Sequence, residues 1–278
     1  MNQMMTRRRF AQLAIASSTV ATFGSFAKKS FAQTTVTTLY GITTQGASLL
    51  VQSLDLGTGK ITDVSSKFAS GVTLDPGDRI TGFTSLSDNT LVVCITPSRS
   101  TSKKKKDNYP PYLIYLGSSP TTQNLSGIKN GKETVLDLLG TKDGFLYGLV
   151  TQYNGRPPTR IVTIDVKTGK IVDRNSLGNQ QSRILAEAAD STIYTANVDS
   201  GGIVTIGNAK LTSSILTLDN GIRSLVGDPS NKSKFYALVS QKYDITSSVF
   251  SIDFSGNQDP KVLATGWEVI RMTRLLSL

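Results

Sequence analysis

The chain has no histidine, one cysteine (Cys94), one tryptophan (Trp267) and only three glutamates, Glu133, Glu187 and Glu268. Each shortage excludes something. Without histidine there is no Ser-His-Asp or Cys-His nucleophile arrangement and no zinc site of the usual imidazole-bearing kind. A lone cysteine forbids an intrachain disulfide and a cysteine-rich metal cluster. Within "TLVVCIT" it reads as a packed thiol in a buried strand. Beyond the N-terminal leader no apolar run reaches the roughly 20 residues that a spanning helix needs. Nor does any segment show the 3.6-residue period of an amphipathic helix.

The leader reads "MNQMMTRRRFAQLAIASSTVATFGSFAKKSFA". Arg7, Arg8 and Arg9 precede a short, mildly apolar run, Phe10 to Phe26, and small residues then offer a cleavage site after Ala32. The string Thr6-Arg7-Arg8-Arg9-Phe10 resembles the twin-arginine export motif, Ser/Thr-Arg-Arg-x-Phe, and Lys28 and Lys29 beside the cleavage site fit that kind of leader. The resemblance implies a protein exported already folded, to a bacterial periplasm, the extracellular space or a thylakoid lumen. Residues 1–32 are thus expected to be a signal peptide, and 33–278 one domain without a transmembrane segment. The precursor's net charge is +10, and the leader carries five of those charges. An exported, moderately basic domain points away from nucleic acid. It points toward an anionic small molecule, a glycan or an acidic protein surface.

The remaining sequence is a set of short alternating apolar runs separated by turn signals, and it repeats. "RIVTIDVKTGKIV" at 160–172 has a near-copy, "LVQSLDLGTGKIT", at 50–62. "FLYGLVTQ" (145–152) has relatives in "TLYGITTQ" (38–45), "TLVVCITP" (90–97), "TIYTANVD" (192–199) and "KFYALVSQ" (234–241). Their central residues are Tyr40, Val92, Tyr147, Tyr194 and Tyr236, here called the reference positions. Four of these copies follow a further strand phrase: "RITGFTSLSDN", "TVLDLLGTKDG", "RILAEAADS" and "RSLVGDPSNKS". The first copy lacks it, and the C-terminal "EVIRMTRLLSL" has the right pattern to supply it. A chain whose last strand completes its first sheet is a closed β-propeller, an architecture that leaves no open edge in the ring. The expected fold is all-β: a five-bladed propeller of four-stranded antiparallel blades, closed by residues 269–278 pairing with residues 36–44.

The unit "LYxL…IDxxTGK" resembles the repeats of quinoprotein-like and YVTN-type propellers over most of residues 36–278. The resemblance implies architecture. The dehydrogenases built on such repeats have a tryptophan in most blades, whereas this chain has only Trp267, so no quinone cofactor is expected, and none of any other kind. In "TGK" the glycines Gly59 and Gly169 suit the left-handed position of a tight hairpin. Lys60 and Lys170 are followed by strand, which is not the setting of a phosphate loop.

Three groups of residues are candidates for function. At one repeat position, five past the reference residue, stand Gln45, Pro97, Gln152, Asp199 and Gln241. Near the start of the innermost strands stand Arg79, Arg183, Arg223 and one or both of Arg271 and Arg274. The loop 97–112 carries Lys103, Lys104, Lys105 and Lys106 followed by Tyr109 and Tyr112, although four consecutive lysines also suit a solvated loop. In a propeller all three groups open on the same face. Guanidinium groups bind carboxylate or phosphate in a bidentate manner, while amides and tyrosines orient what is attached. The expectation is an exported, non-catalytic binding or scaffold protein with a basic recognition face and no metal. The alternative is a secreted hydrolase, lyase or cyclotransferase acting on a sugar or peptide. It would use Glu187, which falls among the small residues Ser85, Gly140 and Gly227 of the innermost strands.

Overall fold

The computed structural model describes residues 38–98, 109–129, 131–178, 182–197, 202–205, 210–212, 220–241, 246–255 and 259–276. Among them the strands form five four-stranded antiparallel sheets. The first holds β1 (Thr38–Gln45), β2 (Ser48–Asp55) and β3 (Ile61–Asp63). The second holds β4 (Arg79–Ser85), β5 (Leu91–Thr96), β6 (Tyr112–Leu116) and β7 (Thr121–Asn124). In the third are β8 (Glu133–Gly140), β9 (Leu146–Gln152), β10 (Thr159–Ile164) and β11 (Ile171–Gly178). The fourth comprises β12 (Ser182–Glu187), β13 (Ile193–Asn197), β14 (Gly202–Thr205) and β15 (Lys210–Thr212). The fifth comprises β16 (Asn220–Gly227), β17 (Lys234–Gln241), β18 (Ser247–Asp253) and β19 (Lys261–Trp267). The last strand, β20 (Arg271–Thr273), returns to the first sheet, whose order is β20-β1-β2-β3. The fold is a propeller-like arrangement of small antiparallel sheets.

The return strand is shorter than the sequence suggests. Tyr40 pairs with Thr273, Gly41 with Met272 and Ile42 with Arg271, in place of a contact along the whole of 269–278. Just before it, the Ile270 N–H donates to the Ile42 carbonyl at 2.8 Å. One short helix, α1 (Ser65–Phe68), follows β3. Its Phe68 ring meets Tyr40 edge-on at 5.7 Å.

The inner strands carry apolar residues on both faces. In β5, Leu91, Val93 and Ile95 belong to a core shared with Ile42 and Val51 of the first sheet. The alternate residues, Val92 and Cys94, join Val135, Leu138 and Val150 of the third. This is the period-2 alternation of a strand with apolar material on either side. The scheme continues. Leu149 and Ile161 of the third sheet meet Leu185 of the fourth. Ala186 and Ala196 meet Phe235 and Ala237 of the fifth. Tyr236, Leu238 and Val249 meet Leu39, Leu54 and Met272 of the first.

The innermost strands also touch in cyclic order: β20 lies against β4, β4 against β8, β8 against β12, β12 against β16, and β16 against β20. Small residues allow the approach. A Cβ on Gly140 would collide with the Ser85 carbonyl oxygen, and one on Gly227 with the Glu187 carbonyl oxygen. The repeated "DxxTGK" phrase is a hairpin device. Asp55 Oδ1 accepts the N–H groups of Gly57 and Thr58, Asp165 Oδ1 those of Lys167 and Thr168, and Gly59 and Gly169 have φ of +70° and +67°.

An arginine-capped channel as candidate functional site

The five innermost strands enclose a narrow cavity of about 30 Å³, reached by Asp137, Glu187, Ser224 and Arg274 among others. That volume holds one or two water molecules. Register places the polar side chains along it. Two residues past the reference position, Ile42, Cys94, Leu149, Ala196 and Leu238 pair with Arg271, Gly82, Asp137, Ile184 and Ser224. These five therefore form one level. Three residues on come Arg274, Ser85, Gly140, Glu187 and Gly227, the second level.

At the first level Asp137 borders the cavity, and Arg271 stands at the same register. Arg271 donates from Nε to the Thr81 carbonyl at 3.2 Å, from Nη1 to Ile270 at 3.2 Å and from Nη2 to Leu136 at 3.4 Å. Each of those carbonyls belongs to the residue just before a first-level position, so one guanidinium ties three innermost strands at one height. Asp137 is buried, and its Oδ2 accepts the Leu185 N–H of the next sheet at 2.9 Å. Ser224 does the equivalent two interfaces on, its Oγ accepting the Met272 N–H at 3.0 Å. Burial pushes the Asp137 carboxyl up to about 7, against the opposing pull of Arg271 and of two backbone N–H groups. Burial lowers Arg271 in turn; Asp137 opposes this, and the like charges of Arg223 and Arg183 add to it.

Arg183 and Arg223 gain their positions from β-bulges. The pairing of every complete innermost strand slips at one place, leaving Thr81, Leu136, Arg183 and Arg223 unopposed. A bulge kinks the strand and re-aims the side chain. Arg183 is exposed; Arg223 is partly buried, with its Nε bonded to Ser240 Oγ at 2.5 Å. The predicted arginines thus occupy four register positions rather than one. The charges of Arg183 and Arg223 reach Arg271. Arg79 stands apart, its guanidinium 5.1 Å from the Tyr153 ring. Arg274 lies deeper at the second level, where its Nε donates to the Gly227 carbonyl at 2.9 Å.

Gln45 and Gln152 are exposed at the ends of β1 and β9. Asp199, the side chain of Gln241 and Lys103 to Lys106 lie outside the described residues, as does the leader. Glu187 is buried at the second level, and its Oε2 accepts the Lys142 N–H at 3.2 Å. Burial raises its carboxyl; that N–H and the charges of Lys142 and Arg274 oppose the rise. Sequence reasoning missed Asp137, although a carboxylate in the apolar run "TVLDLLG" was the signal for it. No cluster of three metal-ligating groups occurs among the described residues, and none of their helices is long and apolar enough to cross a membrane.

No protein-family model and no curated protein matches the sequence. Solved structures with a similar chain path include a protein of unknown function from Bacteroides caccae. It is 10% identical with a TM-score of 0.44, over 86% of this chain and 98% of that one. A luciferin-regenerating enzyme matches at 11% identity and a TM-score of 0.45, over 85% and 81% of the two chains. A catalytically inactive virginiamycin B lyase from Staphylococcus aureus with quinupristin matches at 12% identity and a TM-score of 0.40, over 84% and 85%. Likeness at this level concerns the fold alone.

Proposed function

We propose that the chain is an exported, non-catalytic binding propeller whose five sheets are blades closed by β20. In this reading it takes an anionic group at the channel mouth, and the twin-arginine leader carries it out of the cytoplasm. The observation that carries the reading is Arg271, whose three nitrogens each donate to a backbone carbonyl and whose positive charge is opposed by the like charges of Arg183 and Arg223. Like charges that reach one another repel, and an anion among them relieves that repulsion. Arg271 serves as the floor, while Arg183 and Arg223 are the groups that meet the ligand. The ligand is a phosphate, sulfate or carboxylate group on a small molecule, a glycan or an acidic protein.

The cavity beside Glu187, at about 30 Å³, weighs against the enzymatic alternative, because a pocket for a sugar or peptide needs roughly 300 Å³ or more. The test is a thermal-shift titration with inorganic phosphate and sulfate. Both anions should stabilise the wild-type protein and lose that effect in the Arg183→Ala/Arg223→Ala variant. Equal stabilisation of the variant sinks the reading. Export is tested separately, by replacing Arg7 and Arg8 with lysine and following the protein's compartment.

A further inference from the structure

A larger cavity lies away from the axis, at the end of the second sheet where β4 and β6 begin and β5 and β7 finish. It measures about 630 Å³ and is lined by Asp75, Asp78, Pro97, Tyr109, Tyr112 and Asn124, with Ser98, Pro110 and Thr122 beside them. All of these are among the described residues. The volume falls within the range of pockets that hold drug-sized ligands. Its lining is mixed. Tyr109 is 65% exposed, and its ring offers a flat apolar surface with a hydroxyl at its edge. Asp75, Thr122 and Asn124 are exposed and supply a carboxylate, a hydroxyl and an amide.

The second carboxylate is already committed. Asp78 Oδ1 accepts the Ser98 N–H at 3.0 Å, and Oδ2 accepts the Tyr112 hydroxyl at 3.1 Å. Burial, then the charges of Asp78 and Asp75, push the Tyr112 phenol up, so its proton stays in place to make that bond. One open carboxylate, an amide and a hydroxyl around an exposed ring form a set that recognises neighbouring hydroxyl groups. The carboxylate and amide oxygen accept from them, the amide N–H₂ donates, and the C–H face of a pyranose ring covers tyrosine. Among the described residues the lining holds two carboxylates, Asp75 and Asp78, and no arginine or lysine.

We propose that this groove binds a neutral saccharide through the Tyr109 ring and the hydrogen-bonding groups of Asp75 and Asn124. The inference goes beyond the anion reading and does not depend on it. Isothermal titration of the full chain with cellotetraose, maltotetraose, xylotetraose and chitotetraose tests it, with spermidine as the cationic arm. At least one tetrasaccharide should bind with a Kd below about 1 mM. Tyr109→Ala and Asp75→Asn should each weaken that binding at least tenfold, and Arg183→Ala should leave it within twofold. Tyr109 and Asp75 are exposed, so the variants should keep the wild-type melting temperature and report on binding. The proposal is overturned if no tetrasaccharide binds, if binding ignores both variants, or if spermidine alone binds in an Asp75-dependent way.

Discussion

The indole of Trp267 occupies the space that a side chain on Gly41 would need. A Cβ at Gly41 would lie 2.5 Å from Cζ2 of that ring and 2.6 Å from Cγ1 of Val269. The same indole donates from Nε1 to Gln52 Oε1 at 2.9 Å. Trp267 ends β19 of the fifth sheet, whereas Gly41 and Gln52 sit on β1 and β2 of the first. The only tryptophan of the chain is therefore the bolt between the sheet that ends the repeat series and the sheet that begins it.

Replacing Gly41 with alanine should consequently destabilise the fold even though alanine is the better strand residue. Overpacking of this kind costs about 1–3 kcal/mol. Trp267→Ala should cost about 3–5 kcal/mol through the cavity it opens, and Gln52→Ala about 1 kcal/mol for the lost hydrogen bond. Urea unfolding of the three variants checks the order. Unchanged stability of Gly41→Ala would mean that the indole is not held in this place.

Gly140 and Gly227 face backbone rather than side chains: the Ser85 and Glu187 carbonyls fill the space a Cβ would take. Backbone cannot swing aside as a rotamer can. Gly140→Ala and Gly227→Ala should each lower stability by more than about 2 kcal/mol, or prevent folding, because neighbouring innermost strands would have to separate. Gly117, with nothing within 4 Å of its virtual Cβ, is the control, and its alanine variant should stay within about 0.5 kcal/mol of wild type.

These glycines show how much of the fold was legible. Repeat spacing placed Gly140, Gly227, Ser85 and Glu187 at one position, and strand pairing gives them the same register. The hairpin turns at Asp55 and Asp165 were readable because their signals are local. The bulges were not. A single unopposed residue in "SRILA" or "IRSLV" leaves the apolar pattern nearly intact, yet it moves Arg183 and Arg223 out of step with Arg271. Asp137 was hidden for a related reason. Nothing in its neighbours announces that Leu185, 48 positions away, presents an N–H to it. The saccharide groove escaped too, because Asp75, Tyr109 and Asn124 come from three separate loops and strand ends.

Cys94 is fully buried, and its thiol is pushed up to about 12, chiefly by burial. Thiolate is the reactive form. Ellman's reagent should therefore leave the native protein unmodified at pH 8 over hours, and label one thiol once urea unfolds it. Rapid labelling of the folded protein would contradict the packing of β5.

Asp137 gives stability a definite pH dependence. Its folded value of about 7 lies above the ordinary carboxyl value near 4, so the native state holds that proton more tightly than the unfolded chain. The contribution is complete below about pH 4, is lost as pH rises toward 7, and is flat beyond. Asp137→Asn keeps an oxygen for the Leu185 N–H and cannot ionise. Measured by urea unfolding between pH 4 and pH 8, wild type should lose stability relative to this variant as pH rises, with the difference levelling off above about pH 7. A constant difference would show that the carboxyl titrates as an ordinary surface acid.

Arg271 and Asp137 share one level of the channel, and the coupling between them is measurable. Arg271→Met retains much of the side-chain volume but leaves the carbonyls of Thr81, Leu136 and Ile270 without its donors. It also strips Asp137 of the cation that opposes its rise. The expected cost is about 3 kcal/mol at pH 8, where Asp137 is ionised, and less at pH 5, where the carboxyl is neutral. Adding Asp137→Asn to Arg271→Met should recover part of the loss at pH 8 and little at pH 5. A double-mutant cycle at the two pH values therefore isolates the charge term from the carbonyl bonds. Arg183→Ala, exposed at the mouth, should leave stability within about 0.5 kcal/mol at either pH. If Arg271→Met proves equally mild, the guanidinium is not tying the three innermost strands, and the floor assigned to the anion site falls with it.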